Sequence, residues 1–200
     1  MDETIEYYNA NAQDFISNTK DVVFNENQDL FLNELKKRFP EINNPIVLDF
    51  GCGSGRDTKY FLQNNLLVDA IDGSEEMCKF ASDYTGIQVK QVFFQDWKSE
   101  KKYNGIWACS SILHLKKDDL LVVLKNLLNH LIPNGILYTS FKYGDFEGEH
   151  KGRYFTNFTE NTFNQFVTNL DDFKILKTWI TSDVRPGREN EKWLNLILTK

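Results

Sequence analysis

The sequence predicts an α/β protein built on a doubly wound, mostly parallel sheet, and three observations carry that expectation. From residue 46 onward, short apolar runs suited to buried strands alternate with longer stretches of helical period. The first of those runs ends in a glycine-rich turn that opens directly into a helix. The chain then closes on two apolar runs, residues 173–180 and 193–198, joined by the turn-rich stretch TSDVRPGRENEK, which reads as a terminal antiparallel pair on an otherwise parallel sheet.

Ahead of the sheet, Ile5, Tyr8, Ala12, Phe15 and Ile16 recur at helical spacing, and a second helix over residues 27–39 stops before Pro40. Ile46–Phe50 follows Pro45 and is continuously apolar but for Asp49, as a strand covered on both faces would be. Gly51, Gly53 and Gly55 let the backbone turn tightly and approach a ligand, and Thr58, Phe61 and Leu62 mark the helix beyond. Residues 66–71 form the second strand, closed by Asp72. In GSEEMCKFAS, Ser74 is an N-cap, Glu75 and Glu76 suit the helix dipole, and Met77, Phe80 and Ala81 point inward. Strand three covers residues 89–94 and ends in Gln95-Asp96-Trp97; strand four covers 103–109 and opens into Ser110 to His114.

Leu120, Leu121, Leu124, Leu127, Leu128 and Leu131 give residues 118–131 one buried helical face. Pro133-Asn134-Gly135 turns into a fifth strand at 136–141. Residues 142–156, KYGDFEGEHKGRYFT, are too long and polar for a simple connection and read as a substrate lid. Thr159 caps a last helix with Phe163, Phe166, Val167 and Leu170 inward. At the terminal hairpin, a turn is expected at Pro186-Gly187.

With 200 residues and 41% hydrophobic content the chain suits one domain, residues 1–200. A net charge of −6 removes the basic footprint of a protein that holds duplex nucleic acid. Cys52, Cys78 and Cys109 are odd in number and scattered, which suggests neither a disulfide framework nor a metal site and suits a reducing cytoplasm. The acidic start MDETIEYY is unlike a signal peptide, and no apolar run reaches membrane-spanning length, so a soluble protein is expected. Oligomeric state is left open.

The chemistry concentrates around the glycine turn. Asp72 lies about twenty residues after the first glycine, where a strand-end carboxylate takes ribose hydroxyls. A NAD-dependent oxidoreductase would place its third glycine where this chain has Arg56, and Asp49 just before the turn would oppose a pyrophosphate. The same charge suits an ammonium, which S-adenosylmethionine (SAM) carries without any phosphate. Asp49, Gly51, Gly53 and Gly55 thus form an acid followed by G-x-G-x-G, and here the chain resembles the class I SAM-dependent methyltransferases.

That resemblance implies a Rossmann-like seven-stranded mixed sheet in the order 3-2-1-4-5-7-6, with strand 7 antiparallel. It implies SAM as cofactor, S-adenosylhomocysteine (SAH) as product and a small-molecule methyl acceptor; a non-catalytic SAM-binding module or sensor is the alternative. Cofactor contacts would come from Asp49, Gly51, Cys52 and Gly53, then Asp72, Gly73 and Met77, then Asp96, Trp97 and Ser110. Met77 would meet the adenine, pack in the core, or do both. Residues 1–40 would form a helical cap over the cofactor, with Tyr8 either in contact with it or packing the helix down. The strings GCGSGRD, AIDGSEEM and WACSSILHL look closest to the small tellurite-resistance-like branch.

At the loop after strand four the chain has neither the Asp/Asn-Pro-Pro-aromatic tetrapeptide of the amino-DNA methyltransferases nor the Cys-Pro pairing of the cytosine-C5 enzymes. His114 there is a candidate base near neutral pH, or a packing residue. Arg153, with Tyr143 and Arg185, falls in loops at the carboxyl ends of strands, as contacts to an anionic acceptor would.

Overall fold

The computed structural model describes residues 3–168, 170, 173–185 and 187–200. Pro186 of the expected hairpin turn lies outside the described residues. Among them the first strand is β1 (Ile46–Phe50), followed by β2 (Leu67–Asp72), β3 (Val89–Gln91), β4 (Tyr103–Ala108), β5 (Leu131–Lys142), β6 (Glu147–His150), β7 (Arg153–Thr156), β8 (Lys174–Ser182) and β9 (Lys192–Thr199). Seven of these form one sheet in the order β3-β2-β1-β4-β5-β9-β8. β1 pairs parallel with β2 and β4, and β9 runs antiparallel to both neighbours. With the β6-β7 hairpin set aside, this is the order 3-2-1-4-5-7-6 with strand 7 antiparallel.

The helices are α1 (Glu3–Ala10), α2 (Ala12–Thr19), α3 (Asn25–Arg38), α4 (Arg56–Gln63), α5 (Glu75–Thr85), α6 (Lys117–Asn129) and α7 (Glu160–Phe166). Alternation of side chains along β1 decides which helices lie where. Val47 faces Phe31, Leu32 and Leu35 of α3 and Phe61 of α4, whereas Leu48 and Phe50 face Leu120, Leu124 and Leu127 of α6. Both faces are therefore dry, which is why β1 and β4 read as nearly continuous apolar runs. Trp107 of β4 stacks on Tyr138 of β5 with ring centroids 3.8 Å apart and meets Phe31 edge-on at 5.1 Å. No helix among the described residues is long and apolar enough to cross a membrane.

Several expected boundaries move for physical reasons. The first helical run breaks at Asn11, whose side-chain amide donates to the Tyr7 carbonyl at 2.8 Å beside its own backbone amide at 2.9 Å. Strand three stops at Gln91, and Phe93 and Phe94 leave the ladder to face a cavity. Leu131 belongs to β5, paired with Tyr103, instead of ending α6. The segment expected as an irregular lid contains a regular hairpin, β6 against β7, with Glu147 paired to Thr156 and His150 to Arg153.

Candidate cofactor and acceptor site

A cavity of about 200 Å³ opens at the carboxyl ends of β1, β2 and β4, roofed by the N-terminal helices. The turn after β1 makes its floor. Gly51 adopts φ +85°, and a Cβ built there would lie 2.4 Å from Cβ of Ser111, so only glycine lets the turn pass beneath the loop that follows β4. Ser111 Oγ donates to the Phe50 carbonyl at 2.6 Å and locks the two together. At the end of β2, the Asp72 carboxylate accepts from the backbone amides of Gly53 and Ser74, both at 2.9 Å. Burial raises its pKa, and those amide bonds oppose the rise. A carboxylate has about four lone-pair sites, so two remain for the hydroxyls of a ribose.

Gly73 follows, in direct contact with α1: a Cβ there would meet Ile5 Cδ1 at 2.6 Å. Ser74 caps α5 by accepting from Met77 N at 3.2 Å and donates its own hydrogen to Asn9 Oδ1 at 2.7 Å. Met77 both lines the cavity and packs, 1% exposed, against Ala12 and Ile16 of α2. Cys52, Gly53 and Ser110 also line it; Ser110 sits at φ +52° with its amide donating to Ser140 Oγ at 2.9 Å.

Four expected contacts are placed elsewhere. Asp49 is 2% exposed beneath the turn, off the cavity wall, and accepts from the Thr58 hydroxyl at 2.5 Å. Burial, with the nearby charge of Asp57, pushes its pKa up to about 8. Asp96 is exposed because a turn, Asp96 N donating to the Phe93 carbonyl at 3.0 Å, carries it outward. Trp97 goes the other way, into the core against His130 and Phe50 at 4.6 and 5.4 Å. In their place Phe93, Phe94 and Gln95 line the cavity. Tyr143 is 39% exposed off the cavity and donates to Glu160 at 2.9 Å, held outward where its backbone bridges to Phe158.

The carboxylate that does line the cavity beside the turn is Asp57, which the sequence reasoning missed. It accepts from Gln28 Nε2 at 2.7 Å, Arg56 Nε at 2.7 Å and Nη2 at 3.0 Å, and Trp107 Nε1 at 2.8 Å. The available signal was an acid beside Arg56 in the first turn of α4; its other donors come from α3 and β4, far away in sequence.

At the other end of the cavity three candidates meet. Nδ1 of His114 lies 2.6 Å from the Tyr154 carbonyl oxygen, so it carries the ring hydrogen, and Nε2 accepts from the Tyr8 hydroxyl at 2.9 Å. Burial lowers the His114 pKa to about 4, helped by the charges of Arg153 and Lys142 and opposed by the bond to Tyr154, so the ring is neutral. Arg153 lies over the ring of Tyr7 at 4.5 Å and Phe155 at 5.1 Å, and its Nη1 reaches the Tyr8 oxygen at 3.5 Å. Arg185 lines the cavity but is clamped on Asp183 through Nε at 2.9 Å and Nη2 at 2.5 Å. Burial works against it, yet the Arg185 bonds and Trp193 hold the Asp183 carboxyl down at about 2.

Residues 47–135 match the family model described as a methyltransferase domain. Over 110 residues the chain is 34% identical to Alpha N-terminal protein methyltransferase 1 of Dictyostelium discoideum, a match covering 49% of this chain and 39% of that relative's length. Magnesium protoporphyrin IX methyltransferase from Synechocystis PCC 6803, solved with bound SAH, superposes with a TM-score of 0.72 at 17% identity, covering 98% of this chain and 97% of that one. TehB from Haemophilus influenzae superposes with a TM-score of 0.63 at 17% identity, over 84% of this chain and 62% of that one. Residues 47–135, which hold the glycine turn, Asp72 and the loop after β4, are thus similar to the methyltransferase domain, and the chain as a whole shares the fold of SAM-dependent methyltransferases.

Proposed function

We propose that the protein transfers a methyl group from SAM to a small acceptor and releases SAH. The observation that carries this reading is Asp72, poised by two backbone amides at the end of β2 beside a glycine turn that opens into the cavity. No complete pyrophosphate cradle accompanies it, since Arg56 occupies the helix start. SAM, when bound, supplies an electrophilic methyl on a sulfonium. The chain's part is to hold the ribose through Asp72, flank the adenine with Met77 and Phe93, and bring the acceptor up from the side of Ser110, Tyr8 and Arg153.

Placement carries most of the rate: ordering two reactants lowers a barrier by roughly 7 to 11 kcal/mol, whereas a positioned base adds about 10²- to 10⁴-fold. The lone pair of His114 Nε2 is already taken by Tyr8, so His114 acts by holding the Tyr8 ring in place instead of removing a proton. Negative charge on the acceptor suits the cavity rim. An α-ammonium group, such as the name of the Dictyostelium relative suggests for its substrate, would face the guanidinium of Arg153. The strings GCGSGRD, AIDGSEEM and WACSSILHL support a place near the tellurite-resistance-like branch.

Calorimetry tests the reading. Wild-type protein binds SAH and ignores NAD, and Asp72→Ala removes charge-assisted hydrogen bonds worth roughly 1.5 to 3 kcal/mol, a loss of about ten- to hundredfold in affinity. Unchanged SAH affinity in that variant removes Asp72 from the site. SAM that binds but yields no SAH with any fraction of a metabolite extract marks a binding module instead of an enzyme.

A further inference from the structure

Among the described residues five side-chain cations, Arg56, Lys142, Arg153, Arg185 and Arg188, line the cavity, and their partners set one apart. Arg56 is paired with Asp57, Lys142 with Glu191 at 2.7 Å, Arg185 with Asp183, and Arg188 with Glu191 at 3.1 Å. Arg153 alone has no carboxylate partner among the described residues. Its Nε is also buried without a hydrogen-bond partner among them, a state costly enough that it is rare in native proteins unless a ligand or ion completes it. The guanidinium is not free to swing toward solvent, because Tyr7 and Phe155 flank it and Nη1 is directed at Tyr8. A planar fork held in one orientation with its Nε edge unused matches a carboxylate, which takes two parallel N–H bonds from such an edge.

Resting on the methyltransferase reading, we infer that Arg153 is the specificity residue of the acceptor end and binds a small acceptor through a carboxylate group of that acceptor. Tyr8 belongs to the same subsite: its hydroxyl, turned toward His114, keeps Nη1 engaged and leaves the Nε edge for the ligand. The cofactor's own amino-acid carboxylate is the competing occupant, and the two are separable by measurement.

The experiment titrates sodium acetate, inorganic phosphate and methylammonium chloride, at fixed ionic strength, into the SAH complex of wild-type protein, Arg153→Met and Arg153→Lys. The Nε–H resonance of Arg153 and calorimetry report binding. Acetate is expected to shift that resonance saturably and to bind at least about tenfold more weakly in both variants, since lysine keeps the charge but lacks the fork; methylammonium leaves it unmoved. SAH affinity stays within about threefold of wild type. A loss of SAH affinity beyond about tenfold in Arg153→Met assigns the guanidinium to the cofactor and overturns the proposal. So does acetate binding that survives in Arg153→Met, or phosphate preferred over acetate with Arg153→Lys equal to wild type. Failure of wild-type protein to bind SAH sinks the methyltransferase reading separately, and the acetate titration of the free protein then still decides the carboxylate site.

Discussion

His114 ties together three segments distant in sequence: its Nε2 holds Tyr8 of α1, its Nδ1 holds the carbonyl of Tyr154 in β7, and its own backbone lies in the single turn after β4. With a folded-state pKa of about 4 against roughly 6.5 when unfolded, the unfolded chain binds the extra proton between those values. This contribution to stability is therefore complete above pH 6.5 and is lost as pH falls toward 4, at no more than about 1.4 kcal/mol per unit. Urea melts of His114→Gln are expected to show a shallower acid limb than wild type across that window; an unchanged slope means that the imidazole keeps its solution pKa. Tyr8, Asp72, Met77 and Arg153, all named from the sequence, line the cavity, and Asp72 does so because the end of β2 fixes where it arrives. Asp57 was not named, since its importance comes from Gln28 and Trp107 converging on it. Asp96 and Trp97 misled because a one-turn change in chain direction after β3 exchanges which neighbours reach the cavity.

Among elements, α5 shows how a helix cap and Asp72 share a support. The Ser74 hydroxyl stops the helix at its N-terminus and grips Asn9 of α1, while its amide is bound to Asp72. Ser74→Ala is expected to cost about 1 to 2 kcal/mol by loss of the cap, lowering the melting midpoint by about 2 to 4 °C per kcal/mol in a chain of this size. A midpoint within 1 °C of wild type, on the order of the precision of a melt, would show that α5 does not depend on its cap. This cap, and that of α7, where Thr159 and Thr162 form a reciprocal box, were visible in the sequence because capping is local. The hairpin of β6 and β7 was hidden because both strands are only four residues long and β6, EGEH, has no apolar side chain, so that no apolar alternation announced them. The overrun of strand three had the opposite cause: Phe94 is apolar because it stacks on Phe50 at 4.6 Å, and apolarity alone does not separate ladder from cavity wall.

At the scale of the whole molecule the sheet order was readable because parallel strands buried on both faces leave long apolar signatures, and the closing antiparallel pair is flanked by turn residues. The cavity is built from both termini of the chain and its middle, so a ligand filling it restrains the entire fold. At one hundred times its dissociation constant, SAH is expected to stabilise by about 2.7 kcal/mol, a rise of roughly 5 to 10 °C in melting midpoint. NAD at equal concentration is expected to give none, and a shift with NAD as large as that with SAH would contradict the cofactor assignment. The contact between Gly51 and Ser111 also limits how the two loops can move or be altered. With no room for a single methyl group between Gly51 and Ser111, the turn after β1 and the loop after β4 are mechanically one piece, so a side chain added to the turn must displace the loop.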